Sequence, residues 1–537
     1  MNNRIWYGGK KSEGKKYRIN EVKLEIGREM TELPKKISKL LSIPENEIIW
    51  WKVVKESIDA RDKKNIKMVY SVDFDTDKTI PKKILQKNRC SFVKTNKRYE
   101  PDPGSEIIKG RPVVVGFGPA GIFASLELAR RGYRPLIIER GCKMDERVRD
   151  VNKFINKSIL NKESNILFGE GGAGTFSDGK LTTGIKDPNT GYVLGEFAKA
   201  GAGDEIIYKN KPHIGTDVLR SVVVRLREEV IGLGGEILFN AKLENVSIES
   251  GELSSISVFV SKLEDKHINI RTNALILATG HSARDTYKML NDINVEMEQK
   301  PLSIGVRVSH PQSLIDQAMY GDEKRLPPAD YKISYRASNG RGVYSFCMCP
   351  GGEVVTCATD EKELCVNGMS KRRRNSGTAN SGILCDVRTD DFDGSDALAG
   401  IRFQQKYERL AFVNGGGNFK SPKCTMKEFL DKSGESVINS MPDFAYEAIR
   451  EAIPHFAKQI KGYDNDDAII NAVETRSSAP LRVLRDKNTG ESTKVRGIYP
   501  TGEGSGYAGG IMSAACDGIK QANKIIERFS NKEEVIK

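Results

Sequence analysis

Four residues between positions 113 and 139 have the types and spacing needed to hold a nucleotide. Gly116, Gly118 and Gly121 form a Gly-x-Gly-x-x-Gly turn, and Glu139 follows 18 residues later. In such a turn the first glycine allows the tight bend and the second lets the backbone approach a pyrophosphate. The third lets the following helix pack against the strand. A carboxylate placed like Glu139 can take the two ribose hydroxyls, so this spacing predicts an adenine-dinucleotide site.

The elements around the turn are those that such a site requires. Val113–Val115 predicts a short strand, the residues after the turn predict a helix ending near Gly132, and Leu136–Glu139 predicts a second strand. The helix begins at Pro119 and Ala120, so its free N–H groups point toward the phosphates. Arg140 directly follows Glu139 and is assigned to the same site. The alternative is a glycine-rich turn before an ordinary core helix.

The composition is that of a globular enzyme with more than one domain. The chain has 537 residues, of which 38% are hydrophobic, and this length predicts two or three domains. The nine scattered cysteines favour the reducing cytosol. The most apolar stretch, 112–129, is broken by glycines and carries Glu127, so no membrane segment is predicted.

Positive charge is concentrated at the N-terminus. The net charge is +13, and residues 1–100 contribute 25 Lys and Arg against 14 Asp and Glu. A basic domain of this kind can bind nucleic acid, an acidic protein or a phosphorylated substrate. The alternative is that the lysines only keep a small domain in solution.

The order of predicted elements gives an α/β fold with four segments. Residues 1–100 predict a small βαββ domain. Residues 101–295 and 471–537 predict a discontinuous Rossmann-like dinucleotide-binding domain. This domain is expected to have three layers, two of β-strands and one of α-helices (ββα). Residues 296–470 predict a mixed α+β domain inserted between them. The last segment closes with an amphipathic helix whose apolar stripe has the 3.6-residue period.

Several longer motifs resemble a largely uncharacterised family of FAD-dependent dehydrogenases, within the glutathione-reductase-type FAD/NAD(P)-binding fold. These motifs are Gly-Gly-Ala-Gly-Thr-Phe-Ser-Asp-Gly-Lys-Leu at 171–181, Ala-Thr-Gly-His-Ser-Ala-Arg-Asp at 278–285, Phe-Cys-Met-Cys-Pro-Gly-Gly at 346–352, Thr-Arg-Ser-Ser at 475–478 and Gly-Glu-Gly-Ser-Gly-Tyr-Ala-Gly-Gly at 502–510. The resemblance runs over nearly the whole chain.

The resemblance implies that the dinucleotide is FAD, and it extends the set of cofactor-binding residues. Val246 is expected near the adenine, and Gly502 and Glu503 at the place of the acid that binds the ribityl chain. Many relatives in the wider superfamily have Asp there. The other residues expected to contact FAD are Gly174, Thr175, Asp178 and Gly179 in the glycine-dense loop, Thr279 and Gly280 at a strand end, and Gly509, Gly510 and Ile511 at the start of the last helix.

Five residues are candidates for chemistry. Lys180, in the glycine-dense loop, is expected near the reactive face of the flavin, unless that loop is an Ω-loop packed on itself. His281 could donate a proton. Arg307, His310 and Arg476 could bind an anionic substrate, although a histidine beside a strand end is more often structural.

Two further motifs leave alternatives open. Cys347 and Cys349 share one face of a predicted strand and are either redox-active or buried core thiols. No metal site is predicted, since no second cysteine pair with ligand spacing is near. The basic run 371–374 predicts a solvated loop, with a phosphate contact as the alternative.

Three functions are compatible with these patterns. The first is an FAD-dependent oxidoreductase that transfers hydride between flavin N5 and an anionic small molecule. Since no second dinucleotide turn is present, NAD(P)H would bind transiently, or electrons would come from another donor. The second is a tRNA-modifying flavoprotein that uses the basic N-terminal domain. The third is a flavin-binding structural or sensing protein without turnover.

Overall fold

A computed structural model describes residues 7–9, 15–93, 98–262 and 266–531. The N-terminal strands and helices are β1 Tyr7–Gly9, β2 Lys15–Glu25, α1 Leu33–Leu41, β3 Trp50–Asp59, β4 Lys67–Thr76, α2 Lys82–Lys87 and β5 Cys90–Phe92. They form an antiparallel sheet with the order β1-β3-β4-β2-β5. The predicted βαββ unit is therefore extended by two short edge strands and a second helix.

The next segment contains the dinucleotide-binding turn. Its elements are β6 Val113–Val115, α3 Pro119–Arg130, β7 Leu136–Glu139, α4 Met144–Lys157, α5 Thr190–Phe197, α6 Thr216–Gly232, β8 Glu236–Phe239, β9 Ala241–Glu249, β10 Glu252–Val260, β11 Lys266–Arg271, β12 Leu275–Leu277 and α7 Arg284–Asp292. Strands β9, β10 and β11 form an antiparallel meander.

The third segment is richer in strands. Its elements are β13 Met297–Gln299, β14 Leu302–Pro311, α8 Gln312–Tyr320, β15 Ser334–Arg336, β16 Gly342–Cys349, β17 Gly352–Cys357, β18 Cys365–Ser370, β19 Thr378–Val387, α9 Ala399–Asn414, β20 Lys423–Thr425, α10 Met426–Leu430, α11 Glu435–Ile438, α12 Asp443–Gln459, β21 Ile469–Glu474 and β22 Leu481–Val483. Six of these strands form one sheet, with the order β15-β16-β19-β14-β21-β20, and β17 and β18 form a separate hairpin.

The chain then returns to the dinucleotide-binding sheet with β23 Ile498–Pro500 and α13 Ile511–Arg528. The sheet order is β23-β12-β6-β7-β8, and all its neighbours are parallel. Helices α3, α6 and α13 cover one face of the sheet, and the meander covers the other. The expected three-layer ββα domain built from separated segments is confirmed.

Parallel sheets are stable only when both faces are covered, and these layers meet that need. The predicted stripe of the last helix lies against α3, where Gly518 lets the helices touch because its Cβ would lie 2.1 Å from the Ala120 carbonyl oxygen. In the described part of the chain, no helix combines the length and apolar character needed to cross a membrane.

Candidate FAD-binding and redox site

The three glycines of the turn differ in how much room a side chain would have. Gly116 has φ +98°, and a Cβ there would lie 2.3 Å from the Ala278 carbonyl oxygen. A Cβ on Gly121 would lie 1.8 Å from the Gly116 carbonyl oxygen. Both positions are therefore closed to a side chain by the approach of β6, β12 and α3. Gly118 is different, because its Cβ would meet only the Gly172 Cα, at 3.6 Å.

Two helices begin at the wall of one cavity. The first intrahelical bond of α3 runs from the Ile122 N–H to the Gly118 carbonyl, and that of α13 runs from the Ala514 N–H to the Gly510 carbonyl. The N–H groups before these bonds have no partner within the helix. Each helix N-terminus also carries about half a positive charge. The cavity therefore offers two places suited to negative groups.

The acid at the end of β7 faces the same cavity. The Glu139 carboxylate accepts a hydrogen bond from the Phe117 N–H at 2.8 Å and one from the Gly141 N–H at 2.9 Å. Each oxygen keeps a second lone pair that a ribose hydroxyl can use. Arg140 is held by Asp285 and Glu163 and packs over the Phe168 ring, so its cation is already paired.

The cavity has a volume of about 430 Å³, within the roughly 300–1,000 Å³ of typical cofactor sites. The predicted cofactor-binding residues that line it are Gly116, Gly118, Pro119, Ala120, Glu139, Arg140, Gly174, Asp178, Gly179, Thr279, Gly280, Glu503, Gly509, Gly510 and Ile511. Three of the candidates for chemistry also line it, namely Lys180, His281 and Arg476.

The other predicted residues lie off the cavity wall. Val246 is buried in the core between the sheet and the meander, and Ala241 to Leu243 of the same strand line the cavity instead. Gly121 and Gly502 lie where α3 approaches β6 and α13. Thr175 is buried, and its carbonyl accepts a hydrogen bond from the Thr216 hydroxyl.

Arg147 fixes the backbone of the loop before the glycine-dense segment. It is fully buried, and its guanidinium donates to the carbonyls of Asn165, Ile166, Gly169, Glu170 and Gly172 at 2.6–3.2 Å. Burial lowers the pKa of Arg147 to about 9. The sequence gives no sign of this role, because the neighbours Asp145, Glu146 and Arg149 are typical of a solvent-facing helix.

The glycine-dense loop is tied to the inserted domain by two side chains. Asp178 pairs with Arg374 at 2.6 Å and accepts a hydrogen bond from Ser370. Burial opposes ionisation of Asp178, but Arg374 and Lys180 outweigh it and lower its pKa. Lys180 donates to the Met348 carbonyl. The prediction of a solvated loop at 371–374 is wrong for Arg374, which is largely buried in this pair.

His281 and Glu503 meet across the cavity, with His281 Nε2 3.5 Å from a Glu503 oxygen. Burial and the cations Arg476 and Arg284 lower the pKa of His281 to about 3. Burial raises the pKa of Glu503 to about 7. The predicted proton donor His281 therefore stays neutral, and Glu503 is the group that titrates near neutral pH.

Arg476 is paired with a buried carboxylate. It forms a two-point ion pair with Glu408 at 2.7–2.9 Å, and Arg284 pairs with the same carboxylate at 2.9 Å. The Thr475 hydroxyl completes the cluster at 2.7 Å. Burial opposes ionisation of Glu408, but the two arginines reverse its effect and lower its pKa. Arg476 thus forms part of the wall with its charge compensated.

Arg307 and His310 are also engaged within the protein. Arg307 is fully buried against Glu474 at 2.9 Å and Asn380 at 2.7 Å. His310 Nε2 lies 2.6 Å from the Tyr463 carbonyl oxygen. Neither side chain lines the cavity, so neither meets the geometric requirement for binding a substrate in it. Their partners lie far away in sequence, and no local signal could have identified them.

Comparisons with known proteins agree with this geometry. A family model described as "FAD-dependent protein, C-terminal domain-like" matches residues 301–477, and a domain of unknown function matches residues 16–75. An uncharacterized protein of Clostridium beijerinckii is 47% identical over 535 residues, covering 95% of this chain and 99% of that protein.

Three solved structures also match most of this chain, each with a TM-score below 0.5. A flavin-dependent brominase has a TM-score of 0.40 and 11% identity, covering 77% of each chain. An FAD complex of glycerol-3-phosphate dehydrogenase from Bacillus halodurans has a TM-score of 0.36 and 12% identity, covering 78% of this chain and 64% of that one. A geranylgeranyl bacteriochlorophyll reductase-like protein from Thermoplasma acidophilum has a TM-score of 0.35 and 13% identity, covering 78% and 79%.

The fold and the cavity are those of an FAD-binding protein. The chain belongs to the same family as the Clostridium beijerinckii protein, a family of FAD-dependent proteins, and FAD is its cofactor. The cavity residues fit this group on two observations. A Cβ on Gly280, Gly509 or Gly510 would meet nothing within 4 Å, so these backbones face open space in the cavity. His281 Nδ1 is buried and has no hydrogen-bond partner among the described residues.

Proposed function

We propose that the protein is an FAD-dependent oxidoreductase that transfers hydride between flavin N5 and a small anionic substrate. Bound FAD supplies two-electron redox chemistry, and the protein supplies binding, orientation and electrostatics. The observation that carries this proposal is the continuity of one cavity. It extends from the fingerprint turn past the starts of α3 and α13 to a wall of the inserted domain made by Cys347, Asn367 and Glu474.

The fingerprint turn and Glu139 are the proposed binding groups for the adenosine and pyrophosphate. The start of α13 places positive potential where the flavin ring would be held, which favours added negative charge. Glu503 is the proposed proton-holding group, because a pKa near 7 lets both of its forms exist at neutral pH. His281, being neutral, can orient the Glu503 carboxyl.

Lys180 is the cation we assign to the anionic substrate. Its ammonium uses one proton on the Met348 carbonyl and keeps two others for a ligand. Among the described residues, no carboxylate lies within ion-pair distance of Lys180, whereas Arg307, Arg374 and Arg476 are paired. The lysine therefore provides the positive charge that the predicted arginines were expected to give.

The charge on Lys180 can be tested with sulfite, a small anion that adds to oxidised flavins and bleaches them. The Lys180→Met variant is expected to bind sulfite at least several-fold more weakly than the wild type, because the attracting cation is removed. Lys153→Met, at an exposed position on α4, is the control and should match the wild type. Equal sulfite affinity in all three proteins would contradict the role of Lys180.

The oxidoreductase proposal is tested by an anaerobic visible spectrum, followed by titration with NADH and then NADPH. Bleaching by one of them would support turnover and identify the donor. Dithionite, a chemical reductant, is added last. A yellow protein that is bleached neither by the two nicotinamides nor by dithionite would contradict the oxidoreductase proposal and would favour a flavin-binding sensor. A protein that stays colourless after addition of FAD would contradict the cofactor site itself.

A second candidate is motivated by the excess of basic residues at 1–100. In this reading the N-terminal domain holds a tRNA while the flavin site modifies it. Such binding would weaken steeply with salt, since phosphate contacts release counterions. Filter binding of total tRNA at 50 and 200 mM salt tests it, and equal, weak retention at both concentrations would remove the candidate.

A further inference from the structure

The hairpin of β17 and β18 brings two cysteines together at the cavity. The antiparallel register places Cys357 directly opposite Cys365, as the last pair before the connecting loop. Both side chains are buried, at 0% and 2% exposure, and both belong to the cavity wall. Because directly opposed residues of an antiparallel pair point to the same face, the two thiols are neighbours. This pair differs from Cys347 and Cys349, the two cysteines that the sequence pattern favours.

The register suits a reversible covalent bond. Directly opposed residues of an antiparallel pair have Cα atoms about 4.5–5.5 Å apart, and disulfides need about 4.4–6.8 Å. An S–S bond between Cys357 and Cys365 can therefore form without separating the strands. All nine cysteines are free in this structure, so the pair is present as the dithiol.

The surroundings distinguish this pair from an ordinary core thiol. The neighbouring Cys365 thiol and burial raise the pKa of Cys357 well above the usual value, so the Cys357 thiol keeps its proton at neutral pH. Arg476 anchors the loop after β17 through a 3.0 Å hydrogen bond to Thr359. By comparison, the buried Cys385 donates only to a backbone carbonyl, at 3.6 Å.

We propose that Cys357 and Cys365 form a dithiol–disulfide couple that exchanges two electrons with the FAD bound in the same cavity. Two S–H bonds break and one S–S bond forms, and the pair gives two electrons and two protons to oxidised FAD. The reverse step consumes the same numbers and restores the thiols. The inference rests on the proposed oxidoreductase function and adds a second redox centre to it.

The test is an anaerobic dithionite titration of the air-oxidised holoprotein, with cysteines alkylated in denaturant before and after. The wild type is expected to take up about four electrons per FAD instead of two. N-ethylmaleimide should label two fewer than the nine cysteines before titration and all of them after it. Peptide mapping should find the Cys357–Cys365 disulfide only in the oxidised sample.

The variants Cys357→Ala and Cys365→Ala should each take up two electrons, and the control Cys385→Ala should take up four. If the wild type takes up two electrons while all nine cysteines are labelled in the oxidised sample, the FAD assignment stands and the couple is refuted. Four electrons in the Cys357→Ala variant would also refute it. If the disulfide is mapped but the bound flavin is not reduced, the oxidoreductase function fails and the exchange fails with it. The mapping needs no variant, so a variant that does not fold leaves the test intact.

Discussion

Alanine substitutions at two glycines of the same turn should affect different properties, protein stability at Gly116 and FAD affinity at Gly118. Gly116→Ala would place a Cβ 2.3 Å from a backbone oxygen at φ +98°. A left-handed alanine costs about 1–2 kcal/mol, and overpacking adds about 1–3 kcal/mol. The apoprotein should therefore lose about 2–5 kcal/mol of stability.

Gly118→Ala should leave the fold unchanged, because φ is −83° and ψ is −173°, which any residue adopts. The new Cβ would lie 3.6 Å from its nearest neighbour, an ordinary contact. Alanine is a poorer helix N-cap than glycine, but it restricts the unfolded chain, and the two effects offset each other to within about 1 kcal/mol. The methyl group would instead occupy the approach of the pyrophosphate. A steric cost of about 1–3 kcal/mol corresponds to roughly 5- to 150-fold weaker FAD binding.

The assay compares thermal unfolding of the two apoproteins and titrates each with FAD, using quenching of flavin fluorescence. At about 2–4 °C per kcal/mol, the Gly116→Ala substitution should lower Tm by roughly 10 °C. The Gly118→Ala variant should have the same Tm as the wild type. The reasoning is refuted if Gly118→Ala is as unstable as Gly116→Ala. It is equally refuted if Gly118→Ala binds FAD like the wild type.

Three further predictions concern buried charges. Glu408→Gln removes the carboxylate paired with Arg476 and one of the two paired with Arg284, which keeps Glu363. Because the Arg476 charge is then buried without a paired carboxylate, the protein should be destabilised by about 3–5 kcal/mol in denaturant unfolding. Arg147→Lys keeps the charge but has at most three donors for five carbonyls, so it should lower both stability and FAD affinity, as read by Tm and FAD titration. Glu503 has a raised folded-state pKa of about 7. The apoprotein should therefore lose stability as pH rises from about 4.5 through 7, and Glu503→Gln should remove this part of the pH dependence of Tm.

Each of these predictions can be contradicted by a specific result, and the first has a control variant. Glu435→Gln, in the short helix α11, removes an exposed carboxylate that forms no ion pair with any residue the structure describes. It should change stability by less than about 0.5 kcal/mol. If it matches Glu408→Gln, the buried cluster is not the cause. An Arg147→Lys protein with the FAD affinity of the wild type would show that the loop is held by other contacts. If Tm depended on pH in the same way in the wild-type apoprotein and in the Glu503→Gln variant, the raised pKa of Glu503 would be contradicted.

The elements of the dinucleotide-binding domain were predictable because their signals are local. A short window of sequence is enough to predict each of three elements, namely the strand at 113–115, the glycine turn and the last helix with its apolar stripe. The α/β fold class, the family and FAD as cofactor are confirmed. The edge strands β1 and β5 were missed because short strands carry little periodic signal.

The polar side of the cavity was less predictable, since its groups come from distant segments. Arg307 and Arg476 resemble anion-binding residues in sequence, but they are engaged by Glu474 and Glu408. Which carboxylates become buried is decided by tertiary packing, which a local pattern does not encode. The pairing of Cys357 with Cys365 likewise depends on the register of a hairpin and not on their spacing.

The FAD-binding sheet also sets an order of events during synthesis of the protein. β23 pairs with β12, and α13 packs on α3, although the whole inserted domain separates them in the chain. At about 5–20 residues per second, a ribosome needs on the order of ten to fifty seconds to reach α13 after β12. During that interval the apolar surfaces of β12 and α3 that later contact β23 and α13 are exposed in the nascent chain. The FAD-binding domain is therefore complete only after α13 has been synthesised, and until then its apolar surfaces are open to non-native contacts.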